Sequence, residues 1–368
     1  MQKKLIALAI AGLASSAAFA QSSVQIYGAI DMGYSHRGDS FLSGVDSQNA
    51  IDSGISDGNR LGFKGSEDLG NGLKALFTLE TGFLTDTGLY DGFAGGGVFT
   101  RQAVVGLSSD SMGTVLAGRM FSPQYAFLTA LDPFGEGTVG TYLNTVGNDV
   151  SAGLTVIPRL SNAVSYISPT FSGFNVTAVY SSHGDVNSTQ DRVGNSDNNN
   201  RVYGVLPRYT NGPIDIGLNF HRIDFGEDTG LGLDDLRNWT LGGSYDFEVV
   251  KLAAFYADTK IAPLVGDDLK IKSWMVGATV PFGRHAVKVS YNQSKAEQGS
   301  LDGTSKQWAL GYNYSLSKRT SLYTAFAQID NDREANDLVR SSAANDASND
   351  ATVGGYQNGF NVGVMHTF

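Results

Sequence analysis

The sequence predicts an all-β protein, a sixteen-stranded antiparallel β-barrel that crosses a membrane. Large side chains occupy every second position in segments spread over the whole chain. Short connections alternate with long polar ones, and no segment after the N-terminus approaches 18 consecutive apolar residues. A chain without such a segment can satisfy its backbone hydrogen bonds in hydrocarbon only as a closed barrel.

The N-terminus has the pattern of a secretory signal peptide. Lys3 and Lys4 precede an apolar stretch, Leu5–Leu13, and Ala18–Ala20 forms a small-x-small cleavage site. The apolar stretch is too short to serve as a membrane anchor. We therefore expect residues 1–20 to be cleaved after export by the Sec route, and residues 21–368 to form one barrel domain.

Composition narrows the classes of function. Cleavage removes two lysines and leaves 24 Lys and Arg against 36 acidic residues, a net charge of −12. Such an acidic chain is not expected to bind nucleic acid non-specifically. The absence of cysteine excludes disulfides and thiolate metal sites. The 46 glycines and only 8 prolines suit many strands joined by tight turns.

Alternation with a period of two defines the individual strands. Val24–Tyr34 places its even-numbered residues on one face and Gln25, Asp31 and Gly33 on the other. The same rhythm recurs in Leu73–Leu79, Phe174–Ser181, Ile214–His221, Trp239–Phe247, Trp274–Val280, Val287–Tyr291, Trp308–Tyr314 and Tyr356–Phe368. Arg101–Leu107, Leu252–Tyr256 and Ser321–Ala327 do not alternate clearly. A strand that faces another protein and not lipid need not alternate, but a weak signal is also expected of barrel strands in general.

The connections predict the strand count and the orientation. Short turns occur at Glu67–Asn71, Pro169–Gly173, Thr210–Pro213, Phe247–Val249, Phe282–Arg284 and Ser315–Arg319. Long polar loops occur at His36–Asn59, Thr85–Gly97, Ser122–Pro158, His183–Asn200, Phe225–Leu236, Ile261–Leu269, Lys295–Thr304 and Asp330–Gly354. Eight long loops on one side imply sixteen strands, with short turns in the periplasm and long loops outside.

Aromatic residues cluster near the predicted strand ends, which indicates the two interfacial girdles of a membrane barrel. Ordinary strand propensity is the alternative explanation. The residues concerned are Tyr34, Phe83, Phe174, Tyr180, Phe220, Phe282, Tyr291, Tyr314, Phe360 and Phe368.

One long stretch, Asn59–Glu80, resembles the signature of the trimeric general-diffusion porins of neisserial and burkholderial type. Three further pieces match in order: Ser23–Asp31, Arg101–Leu107 with Gly113–Arg119, and the ending Val362–Phe368. The resemblance extends over the whole mature chain. It implies a sixteen-stranded barrel, a homotrimer, and a third external loop folded into the lumen as a constriction.

The C-terminus resembles the recognition signal of the outer-membrane barrel assembly machinery. Phe360, Val362, Val364 and the terminal Phe368 lie on alternate positions, and His366 stands where an apolar residue is often found. The resemblance therefore implies that this segment both closes the barrel and directs the chain to the bacterial outer membrane, where its surroundings would be membrane lipid and lipopolysaccharide.

The longest loop, Ser122–Pro158, is similar to the family's constriction loop, and a loop of this length without regular structure is usually functional. The resemblance places a basic wall opposite the loop. The basic candidates are Arg60, Arg101 and Arg159, with Lys64 added because it shares the predicted lumen-facing parity of Arg60. The acidic candidates are Glu80, Asp132 and Glu136.

Two interpretations of these charges are open. Three converging guanidinium groups would form a weak, hydrated anion site, since arginine stays ionised and presents planar donors. Alternatively, the arginines pair with the three acids and shape a transverse field. Both can hold together, and anion preference is favoured over cation preference. The net negative charge is compatible with this because acids concentrate in external loops, beyond a Debye length of the constriction.

The expected function is a water-filled channel for passive diffusion of small hydrophilic solutes and ions. The alternatives are a substrate-specific channel and a barrel that acts as an adhesin or receptor through its loops. The acidic loops could bind divalent cations that bridge to lipopolysaccharide, although none has calcium-loop spacing and simple solvation is favoured. Five scattered histidines and no catalytic motif argue against an enzyme. No cofactor or metal is implied.

Overall fold

The structure is a computed structural model that describes residues 23–40, 46–91, 97–146, 155–182, 200–226, 232–332 and 356–368. The predicted signal peptide and parts of the long loops lie outside these ranges. The strands are β1 Ser23–Ser40, β2 Gln48–Ser53, β3 Arg60–Gly70, β4 Leu73–Gly82, β5 Gln102–Ser109, β6 Gly113–Phe121, β7 Arg159–Ile167, β8 Phe174–Ser181, β9 Arg201–Asn211, β10 Ile214–Asp224, β11 Leu233–Asp246, β12 Lys251–Pro263, β13 Leu269–Phe282, β14 His285–Gln298, β15 Leu301–Ser315, β16 Thr320–Asn331 and β17 Tyr356–Thr367. The helices are α1 Pro123–Leu131 and α2 Leu143–Val146. In the described part of the chain, no helix has the length and hydropathy needed to cross a membrane.

The strands form one closed antiparallel barrel. Each strand pairs with the next from β3 to β17, and β17 pairs with β1 in a register that joins Thr367 to Ala29. Gly28 and Phe368 exchange two backbone hydrogen bonds of 3.1 Å, which extends this last pairing to the C-terminal residue. The predicted sixteen-stranded barrel and its closure by the C-terminal strand are confirmed.

The pairing of β1 differs from the prediction, because two strands, β2 and β3, pair with the same side of it. β2 pairs with the upper half of β1, and β3 pairs with its lower half, so β2 and β3 together form one wall strand. Ser53 pairs with Met32 and Arg60 pairs with Ala29, so six residues stand opposite two. The surplus backbone, residues 54–59, bulges into the lumen. In the predicted external loop His36–Asn59, residues 36–40 and 48–53 therefore belong to the barrel wall, and residues 54–59 form the inward bulge.

Several other predicted loops are shorter than expected because polar strands extend beyond the membrane. The segment Lys295–Thr304 contains only a two-residue connection, Gly299 and Ser300, between β14 and β15. Gly299 has φ +60°, which suits a tight hairpin turn. Outward-facing charged residues hid the alternation there, since Ser294 and Ala296 are fully buried on the inner side.

The outer wall is apolar and the inner wall is largely polar. In β11, Trp239 and Leu241 are exposed on the outside while Asn238 and Thr240 are buried on the inside. The three segments without clear alternation in sequence follow the same geometry, but their inward residues are apolar. Val104 in β5 packs in an apolar cluster with Ile157, a residue of the β6–β7 loop. The inner apolar residues of β12 and β16 also contact this loop, so a partner on the outside is not needed to explain the pattern.

The protein's central core lies between the wall and the inward-folded β6–β7 loop. Phe127, Leu128 and Leu131 of α1 pack against Phe255 and Met275 of the wall. A second cluster joins the loop residues Phe134 and Val139 to Ala309, Ala325 and Ala327. The predicted constriction loop inside the lumen is thus present, and it is held by a hydrophobic interface.

Candidate functional site at the lumen constriction

Helix α1 presents the constriction residues at fixed positions. Ser122 caps its N-terminus, since the Ser122 Oγ accepts a hydrogen bond of 3.1 Å from the Tyr125 N–H and Pro123 occupies the first turn. The same hydroxyl donates to the Ile157 carbonyl at 2.5 Å, which ties the two ends of the loop together. The helix ends at Leu131, and Asp132 is its C-cap, with its backbone N–H bonded to the Leu128 carbonyl. The acidic tip of the loop therefore begins directly after the helix.

Polar contacts from three wall strands fix the loop inside the barrel. The Gln124 side chain donates to the Asn238 Oδ1 at 3.1 Å, and the Val139 N–H donates to the Asn361 Oδ1 at 2.7 Å. Gln307 makes three bonds, accepting from Asn144 at 2.9 Å and donating to the carbonyls of residues 140 and 141 at 2.9 and 3.0 Å. These buried amides satisfy loop backbone groups that would otherwise be orphaned.

The inward bulge at residues 54–59 is organised by Asp31. One carboxylate oxygen of Asp31 accepts from the backbone N–H groups of Ser56 and, at 2.9 Å, Asp57. The other accepts from the Tyr323 hydroxyl at 2.5 Å. The bulge also meets the loop tip, because the Thr138 N–H donates to the Ile55 carbonyl. Wall, bulge and loop are therefore one connected structure.

Arg101 is the centre of a buried ion network between the wall and the loop. Its Nε donates to the Glu80 Oε1 at 2.8 Å, and a terminal nitrogen reaches the Glu136 Oε1 at 3.3 Å. Tyr125 donates to Glu136, and Tyr27 donates to the second oxygen of Glu80 at 2.8 Å. The Arg101 side chain is 6% exposed. Arg101 thus joins two other predicted site residues, Glu80 and Glu136, but contacts little water.

Arg60 is the most accessible of the three predicted arginines, with 22% of its side chain exposed. It makes a two-pronged ion pair with Asp57 at 2.6 and 2.9 Å and donates to the Gly58 carbonyl at 3.0 Å. Asp57 lies in the inward bulge and was hidden from sequence reasoning inside a predicted external loop. The predicted pairing of arginines with acids occurs here with an acid that was not a candidate.

Arg159 and Lys64 are placed beside the constriction and do not line it. The Arg159 guanidinium lies 5.2 Å from the centre of the Phe121 ring, and Arg101 lies 5.7 Å from the same ring. Arg159 is almost fully buried. Lys64 faces the lumen as expected, over the Tyr27 ring at 4.9 Å, but four residues closer to the short-turn end than Arg60.

Asp132 contacts backbone and not arginine. Its carboxylate accepts from the N–H groups of Phe134 at 3.0 Å and Tyr142 at 2.7 Å, and it is almost fully buried. The cation that acts on it is Lys288, an inward-facing residue of β14 whose Nζ lies 6.0 Å from the Phe134 ring centre. Lys288 alternates with the outward residues Val287, Val289 and Tyr291. This pattern in the sequence could have identified Lys288 as a lumen-facing cation.

The loop acids have shifted pKa values. Burial raises the pKa of Asp132 to about 7, against the lowering effect of its backbone hydrogen bonds and Lys288. Burial alone would raise the pKa of Glu136 too, but Arg101 and the neighbouring hydrogen bonds outweigh it and lower the value to about 2. Glu136 is therefore charged at neutral pH, whereas Asp132 is only partly so.

A cavity of about 470 Å³ remains between the loop and the wall. Its charged lining residues are Asp57, Arg60, Glu80, Arg101, Asp132, Glu136 and Lys288. Five of the seven predicted site residues thus meet in one water-accessible space. On the short-turn side, the described strands face the lumen with Lys64, Lys74, Arg208, Lys251 and Lys288 against Asp68, Asp215 and Asp246.

A family model described as Gram-negative porin matches residues 7–334 of the sequence. The chain belongs to the Gram-negative porins. Outer membrane porin protein 32 of Delftia acidovorans is 34% identical over the full length of both chains. An outer membrane porin protein of Bordetella pertussis is also 34% identical, and the match covers 88% of this chain and 93% of that protein.

A solved porin structure has the same architecture. The anion-selective porin from Comamonas acidovorans matches with a TM-score of 0.75 and 31% identity, covering 95% of this chain and 100% of that one. The family match, the relatives and the barrel together identify this porin as a multi-pass outer-membrane channel. Both the family resemblance noted in the sequence and the localisation are confirmed.

Proposed function

We propose that this porin passes small hydrophilic solutes and ions by passive diffusion, with a preference for anions. The carrying observation is the charge of the lumen. Five cations, Lys288 among them, face it on the short-turn side against three acids, and Arg60 lines the cavity above. Of the four acids in the cavity lining, Asp57, Glu80 and Glu136 are ion-paired with arginines and Asp132 accepts backbone hydrogen bonds. Low-dielectric walls focus such a field at the narrowest point. The similarity to a porin named as anion-selective supports the same preference.

The proposal divides the predicted site into two roles. Arg60 and Lys288 contact the permeating solution, so they act on ions directly. Arg101 and Arg159 are buried beside Phe121, and the ion pair of Arg101 with Glu136 holds the loop in position. Both interpretations of the arginines then apply, to different residues. Glu80, Asp57 and Glu136 compensate buried charge and orient the transverse field.

Reversal potential in a KCl gradient across a planar bilayer tests the anion preference. We expect a reversal potential with the sign of preferential chloride permeation. The current should also rise linearly with solute concentration. Preferential potassium permeation would contradict the assignment. Saturable block by one solute would instead favour a substrate-specific channel, and a barrel that inserts without conducting would leave only an adhesin or receptor role. We propose transport alone as the activity, with no enzymatic step.

The remaining features of the proposal concern maturation and assembly. We infer cleavage after Ala20, which would leave Gln21 two residues before the first described strand residue, Ser23. N-terminal sequencing of the mature protein tests it. We also infer a homotrimer and recognition of the C-terminal strand by the assembly machinery. Phe360, Val362 and Val364 of β17 and the terminal Phe368 are exposed on the outward face, with His366 between the last two, and this arrangement supports the proposed signal.

Lipid contacts are the last part of the proposal. The outer wall would lie in membrane lipid, with lipopolysaccharide in the outer leaflet. The candidate divalent-cation sites in the acidic loops fall mostly outside the described residues, including the stretch 333–355. Measurement of bound calcium on the purified protein separates a cation-bridging role from simple solvation.

A further inference from the structure

Asp31 lies where β1 changes its partner from β3 to β2. At this point its backbone faces the inward bulge, residues 54–59, and not a strand. The Asp31 N–H donates to the Asn59 Oδ1 at 2.5 Å, and the Asp31 carbonyl accepts from the Gly54 N–H at 2.9 Å. The two ends of the bulge therefore supply the hydrogen bonds that a continuous strand would have made.

The side chain of Asp31 holds the middle of the same bulge. One carboxylate oxygen accepts from the N–H groups of Ser56 and Asp57, and the other accepts from the Tyr323 hydroxyl at 2.5 Å. Asp31 is fully buried, and none of the ion pairs in the described part of the chain includes it. Its carboxylate is therefore satisfied by backbone and tyrosine donors, and Asp31 bonds to four of the six bulge residues.

Tyr323 reaches this carboxylate across an intervening strand. It belongs to β16, whereas Asp31 belongs to β1, and β17 lies between them. Gly363 of β17 is the register partner of Tyr323, and a Cβ atom at this position would collide with the Tyr323 hydroxyl. A glycine is therefore needed where the tyrosine passes over the strand. Three wall strands thus build one anchor for the bulge.

The bulge forms the wall side of the constriction. Its Asp57 makes the two-pronged ion pair with Arg60, and both residues line the cavity of about 470 Å³. The bulge also meets the constriction loop, because the Ile55 carbonyl accepts from the Thr138 N–H. The position of the bulge consequently sets both its separation from the loop and the place of the Arg60 guanidinium in the lumen.

We propose that Asp31 is a positioning residue for ion selectivity, which acts on permeating ions through the bulge and not through its own charge. It fixes the bulge, and the bulge fixes the Asp57–Arg60 pair that meets the solution. Asp31 is fully buried and does not line the cavity, so ions do not contact it. The proposal rests on the proposed channel function and adds a determinant of selectivity that lies behind the cavity wall.

Two substitutions of Asp31 separate position from charge. Asp31→Asn removes the charge but keeps an oxygen that accepts from the bulge N–H groups, and its amide can donate to the Tyr323 hydroxyl. Asp31→Ala removes both oxygens and leaves these groups unpaired. Reversal potentials of the full-length protein in a KCl gradient give the ratio of chloride to potassium permeability. We expect Asp31→Asn to keep the ratio and Asp31→Ala to lower it roughly two- to fivefold, because Arg60 is no longer held in place.

Coupling to Arg60 tests the route by which Asp31 acts. Asp31→Ala should change the ratio much less when Arg60→Ser is already present, because the bulge has then lost its accessible cation. Ser165→Ala, a buried inward residue of β7 that bonds to the Ala178 carbonyl, is the matched control and should leave the ratio unchanged. If Asp31→Ala does not fold, Tyr323→Phe removes one of the three bonds to the carboxylate and should lower the ratio by a smaller factor.

Three outcomes overturn the proposal. Equal shifts in Asp31→Asn and Asp31→Ala would show that the charge itself acts on the ions. An unchanged ratio in folded Asp31→Ala, or in Tyr323→Phe where that variant replaces it, would show that the bulge is held without this anchor. Additive effects of Asp31→Ala and Arg60→Ser would show that Asp31 acts by another route. The sign of the potential in the unchanged protein tests the anion preference separately, since the variants are compared only by changes in the ratio.

Discussion

At the scale of single residues, accessibility separates the arginine that acts on permeating ions from those that hold the loop. Arg60 lines the cavity and is partly exposed, whereas Arg101 and Arg159 are buried. All three residues are arginines, so the sequence alone did not distinguish their roles. The distinction depends on the surrounding bulge and loop, and it leads to opposite expectations for replacing each residue.

Arg60→Ser should shift the reversal potential in a KCl gradient towards cations, because one accessible positive charge is lost at the narrowest point. The ratio of chloride to potassium permeability should fall roughly two- to fivefold at low salt, and less at high salt. Arg319→Ser, in an exposed short turn, is the matched control and should leave the ratio unchanged. An unchanged ratio in Arg60→Ser would remove this residue from the filter.

Asp132 gives the channel a pH dependence near neutrality. Its carboxyl has a pKa of about 7, so lowering the pH from 8 to 6 protonates it and removes a negative charge from the cavity lining. Anion preference should therefore increase as the pH falls through this range. Reversal potentials at closely spaced pH values measure the change. Asp132→Asn should show high anion preference at every pH in the range, and a variant that keeps the pH step would contradict the assignment.

At the scale of elements, the constriction loop is positioned by side chains of distant wall strands. Gln307→Ala removes three hydrogen bonds to the loop and leaves the carbonyl of residue 140 unpaired, at a cost of about 1–3 kcal/mol for this orphaned group, while the Thr141 carbonyl keeps its bond from the Asn144 N–H. We expect larger current noise and frequent sub-conductance states, because the loop then fluctuates. Gln293→Ala on the outer face is the control. Quiet single-channel currents from Gln307→Ala would show that the hydrophobic interface is sufficient.

The C-terminal strand combines closure with export to the membrane. Deletion of Phe368 removes two backbone hydrogen bonds to Gly28 and one end of the exposed apolar stripe. The amount of heat-resistant folded protein in the outer membrane should fall severalfold, as measured by gel mobility without boiling. His366→Ala, on the same outward stripe, should assemble nearly normally. Normal assembly of the deleted chain would separate barrel closure from the proposed recognition signal.

At the scale of the whole molecule, the barrel is a rigid wall around one inward loop. Each chain contains its own constriction, so the proposed trimer would hold three independent channels. Single insertions into a planar bilayer should produce current steps in groups of three equal sizes. Chemical cross-linking of the same sample provides the control for subunit number. A single unitary step per insertion would contradict three independent channels, and cross-linked dimers alone would contradict the trimer.

Local sequence was sufficient for those features that depend on alternation and turns. The period of two predicted the strands and the lumen-facing position of Arg60 and Lys64. The alternation of short and long connections predicted the turns and the number of strands. Strand ends beyond the membrane were missed, since charged residues such as Lys295 and Glu297 alternate with small ones and read as loop. In β12 the alternation was obscured because Phe255 is apolar although it lies on the inner face. The constriction loop, and not lipid, covers this side chain.

The sequence by itself determined that this chain is a membrane barrel with a long third loop, because alternating hydrophobicity is imposed by lipid on one side and water on the other, and its resemblance to the porins placed that barrel in the outer membrane. Only the tertiary structure decided which charged residues lie next to one another. The inward bulge brings Asp57 to Arg60, the loop brings Glu136 to Arg101, and β14 brings Lys288 towards Asp132. These groups are far apart along the chain, and electrostatic interaction depends on their separation in space.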